Sequence, residues 1–391
     1  MRKILMSLVL ASLSLMAQAQ GRYVIDGTVN NAPEGTVVKL FRNIGSLLRP
    51  VANDTITGSL FHFEGETTGD GVEPMKLLAM YNGMASMVLD VYVRPGSRVK
   101  VTGSNMLVYT WDVESDVPEQ RTRQKIIAAS RKWLDERQLN TLQEDSIRYI
   151  LRDGGLSDEA KANFQSMLDS IAEAAKTICD SIVLAETKVM AGMPVDSVWL
   201  GALADDAFYA DYSGNQESMN AVKILYDRLP EQWKNTADGA EIGTIIYPPK
   251  EVQEGEAIAD GDLFDVNGNI HHLADFKGKY VLLDFWSIGC GPCMQSIPEL
   301  KEIAEAYKDT LVVVSLSLDV MEIWRQESVK HGITWYNLND LQGNSGISAR
   351  YGVSTIPHYV LVSPSGTMIG KTIGYREGKL KEYVGKYLDG K

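Results

Sequence analysis

The feature that most constrains this chain is the run Cys290-Gly291-Pro292-Cys293, set between the apolar stretch Val281-Leu282-Leu283-Asp284-Phe285-Trp286 and a segment with helical patterning. At such a strand-to-helix junction, two thiols separated by two residues can close a small intramolecular disulfide. The free N–H groups and partial positive charge of the helix N-terminus then point at the first sulfur. The pair is expected to be a redox dithiol, with Cys290 as its nucleophile.

The opening of the chain sets the expected compartment. Arg2 and Lys3, an apolar stretch from Ile4 to Ala17, and Ala17-Gln18-Ala19 have the three regions of a secretory signal peptide, with cleavage expected after Ala19. The apolar stretch is shorter than the ~20 residues of a membrane-spanning helix. An uncleaved, marginal anchor is the alternative. No Cys follows the cleavage region, which argues against lipid attachment there. The expected location is the periplasm or cell envelope. Loss of Arg2 and Lys3 with the leader takes the net charge from −13 to −15, so nucleic acid is not an expected partner, because phosphate binding needs a concentrated basic surface. Three cysteines do not make a structural disulfide framework. Two are the CxxC pair. The third, Cys179, borders the helical face of Phe164, Met167, Ile171, Ala175, Ile178 and Ile182. It reads as a buried, inert thiol, with a third redox or intermolecular thiol as the alternative.

Hydrophobic periodicity divides the remainder. Tyr23–Val29, Val37–Phe41, Leu60–Glu64, Met75–Tyr81, Met87–Val93 and Val99–Thr102 alternate as strands, separated by turn residues such as Asn30-Asn31 and Pro95-Gly96. They predict a β-sandwich or small barrel. From about Val117 to Ile245 the pattern changes to four to six amphipathic helices. Ser157 and Asp196 are positioned to cap two of them after breaks at Gly154-Gly155 and Met193-Pro194. Tyr247-Pro248-Pro249-Lys250 is the clearest linker. The expected layout is a signal peptide over 1–19, a β-sandwich-like domain over 20–115, a helical region over 116–246, a linker over 247–250 and a final α/β module over 251–391.

That module opens with a hairpin around Val266-Asn267-Gly268. The strand Tyr280–Trp286, the dithiol and a helix to about Tyr307, broken or kinked at Pro298, come next. A strand over Leu311–Leu318, a helix over Glu322–Lys330, a hairpin of His358–Val362 with Met368–Thr372, and a helix over Lys379–Leu388 complete it. Asp284-Phe285-Trp286 ahead of the Cys pair, Pro298 five residues after the second Cys, Thr355-Ile356-Pro357 before a strand and Gly374 before the last helix resemble the thioredoxin pattern. Within it, the leading hairpin, the approach Gly352-Val353-Ser354-Thr355-Ile356-Pro357 and the Asp319 to Trp335 insertion are similar to the exported TlpA/ResA-type thiol-disulfide oxidoreductases, which share features with the AhpC/TSA group. The likeness covers about 140 residues. More weakly, the strand-rich start and helical middle resemble an N-terminal domain of unknown function that precedes such modules in some envelope proteins.

The resemblance implies a thioredoxin-like fold and a role for each matching residue. Cys290 would attack a substrate disulfide as thiolate, its pKa lowered from ~8.5 toward ~7. Cys293, shielded in the helix, would resolve the mixed disulfide. Asp284, a charge in an apolar strand whose pKa burial would raise, would accept the proton of the resolving thiol directly or through water. An Asp satisfied by local donors, with no part in turnover, is the alternative. Trp286 would pack under the active-site loop or contact substrate. Pro357 would be cis and present the Ile356 backbone to an extended substrate, against an ordinary trans Pro at a strand edge.

Three residues depart from the pattern. Gly289 stands where an aromatic usually precedes the first Cys, and Ser315 where a Lys pairs with the buried acid. His358 follows Pro357 where Thr is commoner; it reads as a strand residue facing solvent or packing locally, with titration or donation near the dithiol as the alternative. Ser287-Ile288-Gly289-Cys290 has a hydroxyl three residues ahead of Cys290, as in peroxidatic sites, but Leu283 occupies the position that pattern gives to Pro. His271-His272 have no carboxylate or Cys nearby at ligand spacing and read as surface residues, not a metal site. Trp324 and Trp335 read as core. Neither a cofactor nor a metal is expected.

The expected activity is thiol-disulfide exchange on protein disulfides, in the reducing direction because of the Gly-Pro dipeptide, with electrons from a membrane-bound dithiol donor. An oxidase or isomerase direction is the variant reading. A different class of function makes the chain an envelope binding or recruitment protein whose redox module is a passenger or a regulatory unit.

Overall fold

The computed structural model describes residues 21–44, 47–152 and 155–389. The expected signal peptide over 1–19 lies outside the described residues. Two compact units divide the chain near Pro230 and Glu231.

The first unit begins with nine strands: β1 (Arg22–Asn30), β2 (Val37–Ile44), β3 (Leu47–Thr55), β4 (Leu60–Glu66), β5 (Glu73–Tyr81), β6 (Met84–Ala85), β7 (Leu89–Val93), β8 (Arg98–Ser104) and β9 (Asp112–Glu114). One sheet has the order β4-β1-β8-β9; the other runs β3-β2-β5-β6, with β7 also paired to β5. Alternate residues of both sheets, among them Ile25, Phe63 and Val101 from the first and Leu40, Leu77 and Val91 from the second, share one apolar core. The result is a sandwich. The periodicity did not reveal β3. It carries Pro50 and mostly exposed side chains, which an edge strand tolerates because its outer backbone groups need no partner.

Six helices follow: α1 (Pro118–Leu151), α2 (Asp158–Met190), α3 (Ser197–Ser213), α4 (Gln216–Asp227), α5 (Glu231–Lys234) and α6 (Ala237–Ile246). Ser157 accepts the Ala160 N–H at the start of α2, and Asp196 accepts the Trp199 N–H at the start of α3, as their positions predict. α1 to α4 belong to the first unit. α5 and α6 belong to the second, where the Asn344 side-chain amide donates to Glu241 of α6 at 2.9 Å.

The rest of the second unit is the α/β module. It comprises β10 (Leu263–Phe264), β11 (Ile270–His271), β12 (Tyr280–Trp286), α7 (Gly291–Ala306), β13 (Leu311–Ser317), α8 (Met321–Lys330), β14 (Tyr336–Leu338), α9 (Ile347–Arg350), β15 (His358–Val362), β16 (Met368–Ile373) and α10 (Lys379–Leu388). Its five-stranded sheet has the order β14-β13-β12-β15-β16; β13 lies parallel and β15 antiparallel to β12. This is the thioredoxin-like α/β arrangement. The central strand β12 is buried on both faces, which explains its continuous apolar run. Val281, Leu283 and Phe285 enter one core, while Leu282 enters another with Leu300 and Ile303 of α7 and Leu380 and Val384 of α10. The expected interruption at Pro298 is not a break: α7 continues through it, carried by the burial of Leu300 and Ile303. The short β14 and α9 were not anticipated; three or four residues hold too little periodicity to be read.

Candidate functional site

β12 ends at Trp286, and the chain turns through Ser287-Ile288-Gly289 into α7. Cys290 is the N-cap residue of that helix, and its Sγ accepts the Cys293 backbone N–H at 3.2 Å. The two cysteines form a disulfide with an S–S distance of 2.05 Å. Cys290 and Gly291 reach the surface, whereas Cys293 is buried against Trp286 and Trp324. The two sulfurs therefore differ in access, as their positions at and inside a helix start require.

Across the site, the Ile356–Pro357 peptide bond is cis. The Ile356 carbonyl oxygen lies 3.6 Å from Cys290 Sγ. Pro357 leads directly into β15, and its carbonyl accepts the Gly374 N–H at 2.8 Å, tying this approach to the end of β16. Ile288, Met294, Met321, Ile333 and Ile356 pack, partly exposed, against the cluster of Trp286, Cys293 and Trp324. They supply apolar surface where Gly289 provides none.

Asp284 projects from β12 on the face toward α7, since its neighbours on that face, Leu282 and Trp286, pack against α7 residues. It is 3% exposed. Burial pushes its carboxyl up to about 7, opposed only by the hydrogen bond that Ser315 Oγ donates to Oδ2 at 2.7 Å. Oδ1 is buried and has no partner among the described residues. Ser315 in turn accepts the Trp335 indole N–H at 2.8 Å. Ser315 thus makes a neutral hydrogen bond to Asp284 at the position where the resemblance predicts a paired cation.

Two buried residues that the sequence did not single out hold the surrounding frame. Asp319, just past β13, accepts from Ser287 Oγ at 2.8 Å, from the Ile288 N–H at 2.9 Å and from Ser317 Oγ at 3.1 Å, which fixes the turn ahead of Cys290. Asn337 of β14 accepts from the indole N–H groups of both Trp286 and Trp324, at 3.3 and 3.2 Å, and donates to Ser328. Trp286 is 2% exposed; it supports the loop from beneath and presents no surface to a substrate. Only an acid beside the strand end and an amide in the insertion could have signalled these roles, and neither carries a local motif.

His358 is opposite Phe285 in the β12–β15 register, so it points to the face away from Asp284. It is fully buried, neither ring nitrogen has a partner among the described residues, and burial pushes its pKa down to about 4. The expectation of a solvent-facing side chain is thereby corrected, and local packing agrees with this position better than titration beside the dithiol. The reading that His271 and His272 lack carboxylate neighbours is corrected. The hairpin brings Asp265 to His271 at 3.4 Å and Asp262 to His272 at 3.0 Å, because antiparallel pairing of β10 and β11 aligns residues that are distant in sequence. Among the described residues, no group of three or more His, Cys, Asp or Glu side chains could hold a metal ion. Nor is any described helix long and apolar enough to cross a membrane.

Comparison with known proteins places this module. A thioredoxin-like family model matches residues 278–368. The thioredoxin-like protein YneN of Bacillus subtilis (strain 168) is 33% identical over 126 residues, which cover 31% of this chain and 74% of that protein. The thiol-disulfide oxidoreductase ResA of Bacillus thuringiensis subsp. konkukian is 32% identical over 127 residues, covering 31% of this chain and 71% of the relative. Among solved structures, the thioredoxin domain of a thiol-disulfide oxidoreductase from Bacteroides vulgatus is 29% identical, with 35% of this chain and 99% of that one covered and a TM-score of 0.33.

Proposed function

This chain belongs to the thioredoxin-like thiol-disulfide oxidoreductases, and from that premise we propose that Cys290 and Cys293 are its redox pair, reducing disulfides of exported proteins. The observation that carries this reading is the accessible Cys290 sulfur at the N-cap of α7, receiving the Cys293 N–H while Cys293 itself is buried. A thiolate at that position is favoured by the helix end.

In the reducing cycle the Cys290 thiolate attacks one sulfur of a substrate disulfide. The substrate S–S bond breaks, and the first substrate thiolate leaves. Cys293 loses its proton to Asp284, and its sulfur attacks Cys290. The Cys290–substrate bond breaks as the Cys290–Cys293 bond forms, so two electrons pass to the substrate and two protons follow from the protein and solvent. The Ile356 backbone, with its carbonyl beside Cys290, receives an extended substrate segment through main-chain hydrogen bonds. Trp286 serves substrate binding only through the loop it supports.

The leader over residues 1–19 supports export to the periplasm or envelope, where reduction requires electrons from a membrane-bound dithiol donor. The Gly-Pro dipeptide supports the reducing direction; a measured reduction potential well above about −180 mV would move the reading to an oxidase or isomerase. The direct test replaces Cys293 with Ser, traps mixed disulfides in cells and identifies what is attached. Exported proteins bound through Cys290 are expected. Capture of the same set by Cys290→Ser would reject Cys290 as the attacking sulfur.

A further inference from the structure

We propose that Ser315 and Trp335 are positioning residues that determine which oxygen of Asp284 exchanges a proton with Cys293, an inference that rests on the redox reading of this site. An indole N–H can only donate, so at the 2.8 Å contact Ser315 Oγ must accept from Trp335. The single hydroxyl hydrogen of Ser315 is then left for Asp284 Oδ2 at 2.7 Å. The chain Trp335 to Ser315 to Asp284 therefore has one direction. Oδ2 is engaged as an acceptor, and a proton on the acid resides on Oδ1, the buried oxygen with no partner among the described residues.

Oδ1 has no hydrogen-bond partner among the described residues, so it is the oxygen we assign to the exchange with Cys293. Around Asp284, β13 contributes Ser315 and β15 contributes the register partner Tyr359. α7, which packs on this face of the sheet, buries Cys293, Ser296 and Glu299. Ser296 Oγ donates to the Cys293 carbonyl at 2.8 Å, and the Glu299 carboxylate accepts the Gly378 and Lys381 N–H groups at 3.0 and 2.8 Å, which occupies it at the start of α10. No cation is among these groups. Burial favours the neutral acid and the Ser315 donor favours the carboxylate, and the two effects oppose each other near neutral pH. A lysine would hold the carboxylate by charge; here a serine does so by a single oriented hydrogen bond.

In the resolving step the Cys293 S–H proton moves to Oδ1 and the resulting thiolate attacks Cys290. The Cys290–substrate bond breaks with its electron pair on the substrate sulfur, which is protonated by Asp284 or water. Neither Ser315 nor Trp335 changes its proton count.

The test uses the full-length protein with Ser315→Ala, Ser315→Thr and Trp335→Phe, each checked for fold by circular dichroism. Two readouts are compared: the Asp284 carboxyl titration of the oxidised protein by carbon-13 NMR, and the pH profile of resolution from a glutathione mixed disulfide on Cys290. Ser315→Ala is expected to move both midpoints upward by about one unit, the worth of one hydrogen bond to a charged group. Ser315→Thr restores them, and Trp335→Phe moves them the same way by less. An unmoved or lowered titration in Ser315→Ala overturns the proposal. So does a titration that moves while the resolution profile stays in place. The titration needs no turnover, so a failure of the redox reading, seen as absence of any resolution in the unsubstituted protein, is distinguishable from a failure of the Ser315 pairing.

Discussion

Both units of this protein bury a thiol and carboxylic acids, yet only one of them is arranged for chemistry. In the helical part of the first unit, Cys179 sits fully buried in the middle of α2, and burial pushes its thiol pKa up. Nearby, Glu186 and Asp206 are held well above the usual carboxylate range by burial. Glu186 accepts a hydrogen bond from Ser130, and buried Arg123 pairs with Asp90 at 3.2 Å and faces Asp205 at 3.9 Å. That is a buried polar cluster around one guanidinium, in which both Asp206 oxygens also lack a hydrogen-bond partner among the described residues. In the second unit, Cys290 stands at a helix N-terminus with access to solvent, and Asp284, on the strand face toward the same helix, has one hydroxyl donor and one buried oxygen without a partner among the described residues. A raised carboxyl pKa therefore does not mark a reactive site by itself. The position of the thiol on its helix makes the difference.

The widest separation between the two regions is expected in activity. Cys290→Ser should abolish reduction of an insulin-type disulfide substrate, whereas Cys179→Ser should leave the rate unchanged. Loss of rate in the Cys179 variant, with the fold intact by circular dichroism, would break the contrast.

Asp284 supplies the next largest effect, and its sign follows from linkage. Its folded pKa, about 7, lies above the ~3.9 of an unperturbed Asp, so between these values the folded state binds more protons than the unfolded state. Stability then falls as pH rises through that window. Asp284→Asn removes the penalty: its stability advantage over the parent should widen by roughly 3 kcal/mol from pH 5 to pH 8, measured by urea unfolding of the oxidised proteins. The same variant should slow resolution of the mixed disulfide. A pH-independent gap would mean that Asp284 is not a buried, titrating acid.

A smaller effect is expected at Asp319. Asp319→Ala leaves the donors at Ser287, Ile288 and Ser317 without that acceptor and should lower the stability of the second unit by about 2 kcal/mol in denaturant unfolding. The first unit should be untouched. An equal loss in both would contradict the separation into units.

Much of this arrangement was legible because it is local. The CxxC spacing, the acid inside the apolar strand, the caps Ser157 and Asp196, and Pro357 ahead of a strand each declare themselves within a few residues. What escaped depends on register. Trp335 meets Ser315 across 20 positions of sequence only because β14 lies parallel to β13, and Asn337 joins Trp286 to Trp324 through the same pairing. The Asp partners of His271 and His272 were missed for a similar reason: they become neighbours only when the hairpin closes. β3 was hidden by its exposed, proline-bearing edge.

The most direct measurement is the pH dependence of alkylation of the reduced, full-length protein, with the modified residue located by mass spectrometry. One thiol, Cys290, should react ahead of Cys293 and Cys179, with a midpoint below the ~8.5 of a free cysteine. If Cys290 and Cys293 were modified together, no faster than in an unstructured peptide, the helix-end thiolate at the centre of this account would be contradicted.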